Sequence, residues 1–182
     1  MRLFVALELP AGMREALSEW ASEALTAAGA GLRAVSAESL HLTLCFLGSV
    51  APERLDEVIQ ACGVAEDAPV GALRVSRALW LPRRRPRVLS VELEDPEGSV
   101  TVVQGRLSDA LAAQGLFSPD ARRFLPHVTV ARVRGSARVR PLELEGPAGL
   151  TFDPERIVLY RSHLGGGPAR YESLHVVQLS RR

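Results

Sequence analysis

The sequence predicts an α+β fold: two pseudo-symmetric lobes of antiparallel sheet, with helices on the outside and a cleft between the lobes. Three observations carry that expectation. A single offset of 86 residues lays Val5 on Val91, Leu7 on Leu93, Glu8 on Glu94, Pro10 on Pro96, Leu25 on Leu111, Gly29 on Gly115, His41 on His127 and Thr43 on Thr129. Each copy then reads as strand, helix, strand from its apolar period. Elsewhere, connections between strands are helical in one place and tight in others, which belongs to a mixed sheet rather than to a regular α/β alternation. The whole chain, 1–182, is expected to form one domain, with repeat units of approximately 1–50 and 87–136.

The phrases VALELP and VELEDP end the first strand of each copy, the proline closing it. A helix follows, marked by Met13, Leu17, Trp20 and Leu25 in the first copy and by Val103, Leu107 and Leu111 in the second. Gly29 and Gly115 stand where a helix C-cap needs a left-handed residue. LHLTLCFLG and PHVTVARVRG are the next strands, each beginning at a histidine. Pro52 to Gly63 is expected to be helical, with Leu55, Val58, Ile59 and Cys62 on one face. Further strands are expected at 71–81, 87–94, 139–145, 150–161 and 171–179. The stretch 79–87, LWLPRRRPR, is read as an exposed loop joining the halves, because Pro82 and Pro86 cannot donate to a ladder. It is either a solvated turn or a contact for a polyanion. HLGGGPARY at 163–171 is a glycine-rich loop that opens no helix and is a weak phosphate cradle. Trp20 and Trp80 are expected in the core.

Composition limits what this fold does. With 182 residues, 47% apolar and 24% charged, the chain is an ordinary soluble type that can bury a core without metal or disulfide. No run approaches the roughly 18 apolar residues of a membrane span, and the N-terminal run meets Pro10 too early for a signal peptide. Cys45 and Cys62 form no CxxC, so neither a disulfide framework nor a zinc cluster is expected, and the cytoplasm is the natural compartment. All 22 basic residues are arginine, and lysine and asparagine are absent, a bias that a GC-rich genome produces. It excludes a P-loop lysine, a Schiff base and a lysyl-nucleotide intermediate. Residues 1–73 carry 4 arginines against 10 acids, whereas residues 74–182 carry 18 against 11. The second part suits a polyanion.

Side chains on a strand alternate, so His41 and Thr43 point the same way with Cα atoms roughly 6.6 Å apart, and so do His127 and Thr129. A lone HxT also describes a half-buried strand. Two at the offset that aligns the surrounding elements describe more, because core packing does not require a polar pair twice. Packed about a pseudo-twofold axis, two imidazoles would face one cleft with a hydroxyl beside each. Opening a cyclic phosphodiester needs a base for water and an acid for the departing ribose oxygen, and imidazoles with unperturbed pKa near 6.5 can supply both. His41 and His127 have no carboxylate or thiol at ligand spacing, so no metal and no cofactor are expected. His163 and His175 are read as noncatalytic.

FVALELP, HLTLCFLG, FLPHVTVAR and LYRSHLGGGPARYESL together resemble the bacterial and archaeal RNA 2′,3′-cyclic phosphodiesterases, also called 2′-5′ RNA ligases, of the two-histidine (2H) phosphoesterases. The resemblance spans nearly the whole chain. It implies a 2H fold and the HxTx pair His41/Thr43 and His127/Thr129, catalytic histidines beside phosphate-binding threonines. It implies hydrolysis of RNA 2′,3′-cyclic phosphate ends to 2′-phosphates without metal, and a weak, nucleotide-independent 2′-5′ joining of tRNA halves. The implied partner is such an RNA end, with no membrane and the protein as a monomer. It also implies that Phe46 and Arg132, five residues beyond each histidine, sandwich the terminal base. Strict alternation puts both on the face opposite the histidines, so the strands must bend or end near Gly48 and Arg134. Cys45 stands where relatives often carry lysine, which is expected to weaken RNA attachment. Arg132 is expected to depress the pKa of His127, making it the base and His41 the acid. A noncatalytic RNA-end-binding module, or the same chemistry on an ADP-ribose cyclic phosphate or a 2′-5′ oligoadenylate, is the competing reading.

Overall fold

The computed structural model describes residues 1–28, 31–135, 137–163 and 169–181. β1 (Arg2–Glu8) is buried from Leu3 through Leu7, as a strand covered on both faces must be. In α1 (Ala11–Ala28) the buried residues Met13, Leu17, Ala21 and Ala24 form one helical stripe. Its expected cap, Gly29, lies outside the described residues, as does 164–168 of the glycine-rich stretch. β2 (Leu32–Ala34) and β3 (His41–Ser49) follow, and a 3₁₀ turn opening at Pro52 leads into α2 (Leu55–Cys62). β4 (Ala68–Val70), β5 (Leu73–Leu81) and β6 (Val88–Glu94) precede α3 (Ser99–Ala113). At the start of α3 the Asp95 carboxylate accepts from the Thr101 N–H at 2.8 Å. At its end Gly115 adopts φ 65°. Its N–H donates to Ala112 O, and that of Leu116 to Leu111 O, both at 2.9 Å, the paired C-terminal cap that glycine makes possible. β7 (His127–Val133), β8 (Thr151–Phe152), β9 (Arg156–His163) and β10 (Arg170–Arg181) complete the chain.

Among the described residues, ten strands make one sheet in the order β4-β10-β9-β1-β3-β7-β6-β5-β8, with β2 also pairing β7. All pairings are antiparallel except β4 with β10. The two half-sheets join at a single antiparallel pair, Leu42 with Val128. These two residues are themselves 86 positions apart, the offset that aligns the two histidine motifs in the sequence. The two longer helices pack across the junction: α1 rests on β2 and β7, and α3 on β3 and β4. The mixed α+β class and the antiparallel lobes thus stand as expected.

Three expectations are corrected. Segment 139–145 is not a strand. Pro141 and Pro147 lack the N–H a ladder needs, and Gly146 lies so close to the backbone of β5 that a Cβ there would come within 2.3 Å of Ser76 O. Second, Trp20 and Trp80 are half-buried and donate to this segment, Trp20 Nε1 to Glu145 O at 3.1 Å and Trp80 Nε1 to Leu142 O at 2.9 Å. They pack at the edge of the core and pin a strap there. Third, β5 extends through Leu81, which pairs with Val88, so only 82–87 turns, within a hairpin of the second half-sheet. Pro82 falls just past the ladder, where its missing donor costs nothing.

Candidate active site

Leu42 and Val128 point into the core and are fully buried. Their neighbours, on the other face, line one cleft: His41, Thr43, His127 and Thr129, joined by Arg132 and Tyr171. The register set by the Leu42–Val128 pair places His41 across from Thr129 and Thr43 across from His127, with directly opposed Cβ atoms about 5 Å apart.

The imidazoles are held alike. His41 Nδ1–H donates to the carbonyl of Ser39 at 2.8 Å, and His127 Nδ1–H to that of Leu125, also at 2.8 Å, each acceptor two residues before its histidine. A carbonyl can only accept, so each neutral ring carries its proton on Nδ1 and keeps the Nε2 lone pair for the cleft. His41 Nε2 lies 3.1 Å from Thr43 Oγ1. Thr129 Oγ1 instead lies 3.3 Å from Ser90 Oγ, a buried hydroxyl.

The equivalent of Ser90 in the first half is Phe4, and there the symmetry ends. Phe4 lies 4.9 Å from the His41 ring, and Tyr171 meets that ring edge-on at 5.3 Å. Tyr160 stacks behind Phe4 at 5.3 Å. His41 opens to the cleft but is walled by aromatic carbon elsewhere. Burial therefore pulls its pKa down to about 4, against the Ser39 hydrogen bond, with Arg132 and His127 pushing the same way as burial. Arg132 thus acts on His41. Phe4, Tyr160 and Tyr171 carry no local motif. They reach His41 only because β9 and β10 stack beside β1, a pairing of distant chain segments.

Strict alternation fails in both histidine strands, at equivalent points. Val5 pairs with Cys45 and Ala6 with Thr43, leaving Leu44 as an extra residue; Leu89 pairs with Ala131 and Ser90 with Thr129, leaving Val130 extra. Each bulge shifts the side-chain parity, so Phe46 and Arg132 emerge exposed on the histidines' face while Cys45 and Ala131 turn inward. Arg132 enters the cleft with both histidines. Phe46 does not. It lines an adjoining groove that shares Thr43 and His127 with the cleft, and Arg2 lies over its ring at 4.9 Å. Cys45 is buried and its thiol is pushed up to about 12, chiefly by burial. It faces away from the cleft. His163 is engaged by Glu172 at 2.8 Å, and His175 is not among the residues lining the cleft. Both cysteines are free, no helix is long and apolar enough to cross a membrane, and among the described residues no group of three or more His, Cys, Asp or Glu could hold a metal ion.

The sequence profile described as LigT-like phosphoesterase matches residues 7–90. Over 176 residues the chain is 31% identical to the RNA 2′,3′-cyclic phosphodiesterase of Escherichia coli K12, spanning 95% of this chain and 93% of that protein. The chain belongs to the LigT-like phosphoesterase family. The fold agrees with solved structures, E. coli LigT among them. A Thermus thermophilus protein superposes with a TM-score of 0.81 at 27% identity, covering 98% of this chain and 97% of that one. E. coli LigT in complex with 3′-AMP superposes with a TM-score of 0.75 at 26% identity, again covering 98% and 97%.

Proposed function

We propose that this LigT-like phosphoesterase hydrolyses RNA 2′,3′-cyclic phosphate ends to 2′-phosphomonoesters by metal-independent acid–base catalysis. One observation carries the proposal: two imidazoles, each oriented by a backbone carbonyl on Nδ1, share one cleft with a guanidinium, the Nε2 of His41 accepting from the Thr43 hydroxyl. The curated relative's name and the 3′-AMP complex of E. coli LigT point the same way.

In the reaction, water attacks phosphorus in line and the P–O3′ bond breaks. One imidazole takes the water proton, and the other gives a proton to O3′, each transfer contributing about 10²–10⁴ in rate. Arg132, with the hydroxyls of Thr43 and Thr129, holds the nonbridging oxygens. The low pKa of His41 keeps it neutral at pH 7 in the free protein. That supports His41 as the base and His127 as the acid, the reverse of the assignment drawn from sequence. The cleft presents a guanidinium and no carboxylate, a donor set suited to an anion and not to a divalent cation.

Replacing water by a ribose 5′ hydroxyl breaks the same P–O3′ bond and yields a 2′-5′ linkage, so weak joining of RNA ends, tRNA halves among them, accompanies hydrolysis without a nucleotide. The two free cysteines fit a reducing cytoplasm. Turnover of a 2′,3′-cyclic nucleotide, followed by chromatography, tests the proposal. A noncatalytic end-binding protein would bind the nucleotide and leave it unchanged.

A further inference from the structure

The cleft holding both histidines has a volume of only about 40 Å³. A water needs about 10–15 Å³ of such space, so the cleft takes a phosphate-sized group and no nucleoside. The groove beside it measures about 690 Å³, within the range that holds a drug-sized ligand and ample for more than one base. It begins at Thr43 and His127, passes Phe46, and continues between the end of β5 and the segment joining α3 to β7, where Phe117, Phe124 and Arg123 line it.

Three properties suit that wall to nucleic acid. Phe117 and Phe124 are partly buried aromatic rings, seated on the core and lining the groove, where a base can stack on what they expose. Arg123 is exposed and, among the described residues, makes no ion pair, whereas its neighbour Arg122 is held by Asp120 at 2.6 Å. The hairpin turn that continues from Leu81 and Pro82 in the groove's lining carries the exposed Arg83, Arg84 and Arg85. A cyclic phosphate is the 3′ terminus of its strand, so the only covalent continuation lies on the 5′ side.

Resting on the function proposed above, we infer that this groove binds the nucleotide immediately 5′ of the cyclic-phosphate nucleotide, its base against Phe117 and Phe124 and its connecting phosphate at Arg123. The protein thereby selects oligonucleotide ends over free cyclic mononucleotides. Contacts of this kind read stacking and backbone charge, so the subsite accepts any base.

The test compares kcat/KM for adenosine 2′,3′-cyclic phosphate with that for the dinucleotide ApA ending in the same cyclic phosphate, in the intact chain and in Arg123→Glu and Phe117→Ala. One stacked base gives a preference of about 5- to 100-fold for the dinucleotide. Both variants should reduce that ratio several-fold, with the mononucleotide rate of each normalising for any disturbance of the fold. A wild-type ratio near one overturns the inference, as do variants that retain the full ratio. If neither substrate turns over, the proposed function falls instead. Calorimetric affinities for adenosine 2′-phosphate and its ApA counterpart then still test the groove: equal affinities overturn it, and tighter dinucleotide binding supports it.

Discussion

Leu44 and Val130 stand 86 residues apart as unpaired residues at the same point of two equivalent strands. The paired bulges decide what the cleft contains. Without the extra residue in β7, Arg132 would continue the face of Val128 and point into the core. The two histidine strands therefore share a local irregularity as well as a pattern of apolar residues.

Removing the Arg132 charge by Arg132→Gln should raise the pKa of His41, because that cation is one of the causes holding it down. Proton NMR titration of the imidazole C–H signals reads the direction. The same variant should lose about 10- to 100-fold in kcat/KM, as expected for a charge-assisted contact to a phosphate oxygen. An unmoved His41 titration would break the electrostatic link between them.

Acid should destabilise the fold through His41. Its folded pKa, about 4, lies below the unfolded value near 6.5, so between these values the unfolded chain binds the extra proton. The stability that a neutral His41 preserves is complete above about pH 6.5 and is lost progressively as pH falls towards 4. At about 1.4 kcal/mol per pKa unit the loss is about 1–3 kcal/mol, discounted for the ring's opening to the cleft. Thermal melts of wild type and His41→Gln at pH 7 and pH 4.5 compare the slopes. The wild type should lose more, and parallel slopes would remove His41 as the cause.

How much of this was legible in the sequence follows from how far apart the causal residues lie. Both histidine strands, the α2 segment and the glycine after α3 are written in patterns a few residues long, and all are found. β2 and β4 have three residues each, too few to show a period. The alternation in 139–145 reads as a strand, yet prolines and the close approach of Gly146 to β5 make it a strap. In the site, the histidines and threonines are legible because they repeat. The aromatic wall around His41 is not, because Phe4, Tyr160 and Tyr171 meet only once the ends of the chain pair.

Exhaustive chelation with EDTA should leave the rate unchanged, since imidazoles and Arg132 supply the acid, base and charge stabilisation. Activity lost on chelation and restored by zinc or magnesium would contradict the mechanism.

The acid and base roles separate with a better leaving group. A substrate with sulfur at the 3′ bridging position departs without a proton, so it should rescue His127→Ala far more than His41→Ala. Preferential rescue of His41→Ala would restore the assignment made from sequence. The pH profile gives a second reading: on its acid side kcat/KM should fall near pH 4, where His41 takes up its proton.

The most direct measurement is chromatography of the products that wild type, His41→Ala and His127→Ala form from a short RNA ending in 2′,3′-cyclic phosphate. A single 2′-phosphate product is expected from the wild type. Each variant should be slower by about 10²-fold or more while keeping its circular dichroism spectrum, because each lacks one of two required proton transfers. A variant retaining more than about a tenth of the wild-type rate, or a wild-type product carrying a 3′-phosphate, would contradict the two-histidine mechanism.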